Sequence, residues 1–99
     1  MTRITLVCMA GMSTSLLVSK MNLAAVKSGA NVKIQAVPEN EFAKYAENTD
    51  VLLLGPQVRY TLDKMKAQYE PKGIKVAVIN SMDYGMMNGD KVLNDALKL

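Results

Sequence analysis

The chain has 99 residues, 49% of them apolar, with 12 basic and 9 acidic side chains and a net charge of +3. That is enough polypeptide for one core but not for two. The charge is too mild to argue for nucleic acid, and no apolar run is long enough for direct insertion into a membrane.

The N-terminus opens on a strand pattern, residues 3–7, without a signal-peptide layout. The turn Cys8-Met9-Ala10-Gly11-Met12-Ser13-Thr14-Ser15 follows, small and rich in hydroxyls. A helix begins at Ser13 or Thr14, either of which can cap it. Leu16, Leu17, Met21, Ala24 and Ala25 recur at helical spacing as its buried face, and Gly29 ends it as a left-handed cap. Residues 32–37 alternate between apolar and polar, as an edge strand does, and Pro38 ends them. A short helix runs over about residues 39–46, with acidic residues in its first turn as the helix dipole prefers. Val51-Leu52-Leu53-Leu54 is continuously apolar, the mark of a strand covered on both faces. Gly55-Pro56-Gln57 breaks it. A helix over residues 58–69 carries Val58, Leu62, Met65 and Tyr69 on one side. Residues 74–79 form a fourth strand, and a loop holds Met82-Asp83-Tyr84-Gly85. A final helix over residues 90–99 has Val92, Leu93, Ala96 and Leu97 as its apolar face.

Strands alternating with helices predict a single α/β domain over residues 1–99, with a parallel sheet and helices on both faces. The amphipathic second strand belongs at an edge, which gives the four-stranded sheet the order 2-1-3-4. In that order ligands bind in the crevice at the carboxyl ends of strands one and three, where the chain reverses direction across the sheet. The loops meeting there are residues 8–15 and 55–57.

The chain has one cysteine and no histidine. An internal disulfide, a Cys–His nucleophile pair and a zinc site are therefore excluded within it, and a reducing, cytoplasmic setting is expected. No cofactor is called for. Cys8 stands at the end of the first strand, in front of a helix N-terminus whose unpaired N–H groups and dipole favour an anion. The same field favours thiolate over thiol. Thiolate and anion cradle together are the equipment for holding or transferring a phosphoryl group. In the turn, Met9, Ala10, Gly11 and Met12 would bring backbone N–H groups to such a group, the small Ala10 and Gly11 without obstruction. Ser13, Thr14 and Ser15 add hydroxyls that cap the helix, touch phosphate, or both. Gly55, Pro56, Gln57 and Tyr84 fall at the same end of the sheet as rim candidates, although ordinary turn roles suit them as well. Arg59 reads as a solvated charge. Five of the eight methionines, Met9, Met12, Met82, Met86 and Met87, lie in segments near that end. They are either core filler or a soft apolar rim for partners.

The layout is similar to that of the low-molecular-weight tyrosine phosphatases, in which an arginine and a serine follow the cysteine after five residues. Here Thr14 stands in the arginine position, followed by Ser15. Without the guanidinium that clamps a transferring phosphoryl group, hydrolysis should be slow. The segments Cys8-Met9-Ala10-Gly11-Met12-Ser13-Thr14-Ser15-Leu16-Leu17-Val18, Val51-Leu52-Leu53-Leu54-Gly55-Pro56-Gln57-Val58, and Tyr84-Gly85 with Gly89 resemble the IIB components of the sugar phosphotransferase system, lactose/cellobiose class. The cellobiose or chitobiose branch is nearest. That resemblance implies a cytoplasmic phosphocarrier. A phosphohistidine on a IIA partner would load Cys8, which would then phosphorylate a β-linked disaccharide bound by the membrane transporter IIC.

Overall fold

The computed structural model describes residues 1–8 and 12–99, the side chains of Met12 and Ser13 excepted. Ile4, Leu6 and Val7 have no exposed surface, because strand β1 (Thr2–Cys8) is hydrogen-bonded on both sides. Its neighbours are β2 (Val32–Pro38) and β3 (Val51–Leu54), and β4 (Lys75–Val78) lies beyond β3. All pairings are parallel, and the order is β2-β1-β3-β4, as the sequence predicts.

Alternate strand residues feed two apolar layers. On one face Ile4, Leu6, Val51 and Leu53 pack against helices α1 (Met12–Ser28) and α4 (Gly89–Leu97) and the short α3 (Ser81–Gly85). On the other, Val7, Leu52, Leu54 and Val76 meet Phe42, Val58, Met65 and Tyr69, the last two from helix α2 (Leu62–Tyr69). Phe42 stands edge-on to Tyr69 with ring centres 4.9 Å apart, the arrangement that the ring quadrupoles favour. Gly29, at φ 72°, ends α1 as expected.

Several local expectations are corrected. Helix α1 starts at Met12, so Ser13 and Thr14 lie within its first turn, not at its cap. Leu16 is 52% exposed, while Leu17 and Met21 are fully buried. Successive residues of a helix point about 100° apart, and the buried stripe is 14, 17, 21, 24 and 25. Leu97 is exposed for the same reason, beside buried Val92, Leu93 and Ala96. The helix expected over residues 39–46 is two 3-10 turns, Glu39–Lys44 and Ala46–Asn48. Such tight turns suit a short connector that buries little more than Phe42 and Ala46. The helix expected from residue 58 is likewise a 3-10 turn, Pro56–Thr61, kinked at Val58, before α2 begins. Residues 81–85, expected as loop, form α3. The Asn80 side chain caps it by accepting from the N–H groups of Met82 and Asp83 at 2.9 and 3.2 Å.

Two contacts fix the frame. At the amino end of the sheet, Asp50 accepts from the Arg3 backbone N–H at 2.8 Å and from its Nε and Nη2 at 3.1 and 3.0 Å. The Arg3 side chain, with its backbone N–H second, holds the Asp50 carboxyl below the usual carboxylate range. Between α1 and α4, Gly89 lies directly on the backbone of Lys20 and Met21; a Cβ there would meet the Lys20 carbonyl carbon and stand 2.6 Å from the Met21 nitrogen.

Gly89→Ala should therefore lower stability by about 1–3 kcal/mol, since backbone cannot yield as a flexible side chain does. Thermal unfolding followed by circular dichroism would check this, and an unchanged Tm would contradict the close approach. For Asp50, a folded-state pKa below the unfolded one contributes stability that is present above the unfolded value and lost as pH falls through the folded one. The Tm gap between wild type and Asp50→Asn should be open at neutral pH and close below about pH 4. Both partners are partly solvated, so the gap should be small.

Candidate active site

Residues 4–7 carry β1 through the core, and the strand ends at Cys8, paired with Pro38 of β2. On the other side the Gly55 N–H donates to the Val7 carbonyl at 2.8 Å, so the chain leaves β3 alongside the cysteine. A side chain at Gly55 would stand 3.3 Å from Cys8 Cβ and 2.8 Å from Gln57 Oε1. Glycine thus admits a close approach, and the Gln57 amide folds back over it.

Cys8 is 3% exposed. Its sulfur accepts a hydrogen bond from the Thr14 hydroxyl at 2.6 Å, delivered by the first turn of α1. Thr14 is itself buried, and the Tyr84 hydroxyl lies 3.3 Å from the same oxygen. A threonine hydroxyl carries one proton. When that proton points at sulfur, the tyrosine must be the donor in the second contact, and the bonds run from Tyr84 through Thr14 to Cys8. Tyr84 is held from below by the Asn80-capped α3, and an Asp83–Lys91 ion pair at 3.6 Å ties α3 to α4.

The crevice between β1 and β3 thus gathers Cys8, Thr14, Gly55 and Gln57. Met9, Ala10 and Gly11, expected to cradle phosphate, lie outside the described residues, as do the side chains of Met12 and Ser13. Ser15 is exposed one step further along α1, Pro56 opens the 3-10 turn after Gly55, and Gln57 is solvent-facing. Tyr84 is 7% exposed, with its hydroxyl against the Thr14 oxygen. Arg59 is exposed, as a solvated charge should be. Of the methionines, Met82 and Met86 are each 71% exposed, whereas Met87 packs against the core. Sequence reasoning treated Thr14 as a cap or phosphate contact and missed it as the partner of sulfur. The available signal was helical phase, which puts residue 14 on the buried stripe with Leu17 and Met21.

The chain is 46% identical over 101 residues to the galactose-specific EIIB component of Lactococcus lactis subsp. cremoris (strain MG1363), covering 97% of this chain and 94% of the relative. It is equally similar, over the same spans, to the cellobiose-specific EIIB component of Lactococcus lactis subsp. lactis (strain IL1403). A lactose-specific EIICB component of Streptococcus mutans is 30% identical over 84% of this chain, which is 15% of that longer protein. Among solved structures, the cellobiose-specific IIB component of Borrelia burgdorferi superposes with a TM-score of 0.79 at 41% identity, over 98% of this chain and 89% of the other. The lactose-specific IIB domain of Streptococcus pneumoniae gives 0.88 at 21% identity, over 98% and 95%, and shares the fold. The family described as "PTS system, Lactose/Cellobiose specific IIB subunit" matches residues 3–95, and the chain belongs to that family, whose members act as phosphotransferases in sugar uptake.

Proposed function

We propose that Cys8 is the phosphoryl carrier of this IIB subunit. The observation that carries the reading is the position of its sulfur. It stands at the carboxyl end of the central strand, where the sheet reverses, with the first turn of α1 supplying a hydroxyl donor at 2.6 Å. In the loading step the Cys8 sulfur attacks the phosphorus of a phosphohistidine on a IIA partner. The S–P bond forms as the N–P bond breaks, and the imidazole leaves with the electron pair. In the second step a sugar hydroxyl attacks the same phosphorus. An O–P bond forms, the S–P bond breaks, thiolate returns, and the hydroxyl proton passes to a base outside this chain. A donor aimed at sulfur favours thiolate as nucleophile in the first step and as leaving group in the second.

The absence of histidine supports this division of labour, since the donor protein brings its own leaving group. Thr14 in place of an arginine removes the clamp that hydrolysis would use. The sugar is a β-linked disaccharide of cellobiose or chitobiose type, in keeping with the cellobiose-specific relative. It is held by a membrane IIC protein, and the EIICB relative, by its name, joins the two functions in one chain. No helix among the described residues is long and apolar enough to cross a membrane. The IIB domain would work from the cytoplasmic face, and its mild positive charge would help it meet a phosphorylated donor.

Intact mass after incubation with a phosphorylated IIA donor tests the reading. A gain of one phosphoryl group is expected, abolished by Cys8→Ser and by prior alkylation of the thiol. No gain, with a donor shown competent on another IIB, would overturn it. A generic aryl phosphate should be turned over at no more than the background rate; Cys8-dependent turnover would favour a hydrolase instead.

A further inference from the structure

The Tyr84 hydroxyl lies 70 positions along the chain from Thr14, is buried, and has its oxygen 3.3 Å from the Thr14 hydroxyl. We infer that Tyr84 is a positioning residue, which orients the Thr14 proton towards the Cys8 sulfur and so matches the thiol's environment to the charge on it.

Thr14 Oγ1 has two competing uses for its single proton, the sulfur at 2.6 Å and the phenol oxygen at 3.3 Å. The tyrosine hydroxyl can donate or accept. When sulfur is anionic, the favourable arrangement runs Tyr84 to Thr14 to Cys8, each proton pointing towards the negative charge, and each bond polarises the next. When sulfur carries a proton or a phosphoryl group it is a poorer acceptor, and both hydroxyls can turn. Helix α3 holds the ring for this: Asn80 caps it, and the Tyr84 N–H donates to the Asn80 carbonyl at 2.9 Å. Of the charged groups of α3 and α4, Asp83 and Asp95 both pair with Lys91, and Asp90 is exposed to solvent. The contact from Tyr84 to sulfur itself runs through two neutral hydroxyls.

This role deepens the carrier reading and rests on it for its place in turnover, but the chemistry of the thiol can be tested without that reading. The rate of Cys8 alkylation by iodoacetamide would be measured from pH 5 to pH 9 on the full chain, for wild type, Tyr84→Phe, Thr14→Val, Thr14→Ser and the double variant Tyr84→Phe with Thr14→Val. Tyr84→Phe keeps the buried ring and removes only the hydroxyl. Its profile should move to higher pH, so that on the acid side of the plateau the rate falls about threefold to tenfold while the plateau is not lowered. Thr14→Ser should keep the wild-type profile. In the Thr14→Val background, Tyr84→Phe should have no further effect, because the tyrosine acts through the threonine. A merely structural tyrosine would instead scale the rate at every pH, or cost the same in both backgrounds, and either result overturns the inference. An unchanged Tyr84→Phe profile overturns it too. If Tyr84→Phe does not fold, the profiles of Thr14→Ser and Thr14→Val decide, and identical profiles for those two count against it. Failure of the phosphoryl-transfer mass gain with these profiles as expected would sink the carrier reading and leave the positioning role standing.

Discussion

Strand β1 has a parallel neighbour on each side: the chain leaves it through α1 to β2 on one side, then returns from β2 across β1 to β3 on the other. Parallel strands joined by right-handed crossovers cannot do this without opening a cleft at the carboxyl ends. Everything at the site follows from that reversal. The end of β1 delivers Cys8, and the start of α1 must lie directly above it, which brings Thr14 to the sulfur. The exit from β3 passes on the other side, where Gly55 keeps the backbone close: a Cβ there would stand 3.3 Å from the Cys8 Cβ. A full apolar sheet interior, with Ile4, Leu6, Leu52 and Leu54 all excluded from solvent, keeps the arrangement rigid.

The architecture was legible because it depends on patterns that survive tertiary packing. Alternation in residues 32–37 marked an edge, the unbroken run at 51–54 marked a strand covered on both faces, and together they gave the strand order. The shortest elements were not legible. Helix α3 has five residues, too few to show a period, and its start is set by the Asn80 cap. Leu16 and Leu97 sit beside apolar neighbours, and which of two adjacent apolar residues turns inward depends on helix rotation, which the packing partner decides. The contact between Thr14 and Tyr84 joins residues 70 apart, and no local pattern announces it. Cys8 itself was visible from position alone, as the last residue of a strand ahead of a helix start.

The residue types at the site bear on the kind of phosphoryl chemistry they can support. A hydrolase needs a fixed cation over the phosphoryl group and an acid for the leaving atom. This chain offers a threonine in the first role, and its hydroxyl is already committed to sulfur. A relay protein has the opposite requirement: its intermediate must outlast the wait for the next partner. Among the described residues, the buried sulfur accepts from a neutral hydroxyl, that of Thr14.

The amino end of the sheet has a geometric consequence for how the domain can be attached to other things. β1 begins there, and the carbonyl of Leu99 accepts from the Lys75 ammonium at the start of β4. The start of β1 therefore lies at the pole opposite Cys8, whereas Leu99 also lines a cavity with Ile79 and Asn80 past the other end of β4. A tether joined to the amino end would pull away from the sulfur and leave the crevice facing outward. Such a tether, whether a peptide linker or an immobilising tag, would leave the Cys8 end of the sheet unobstructed.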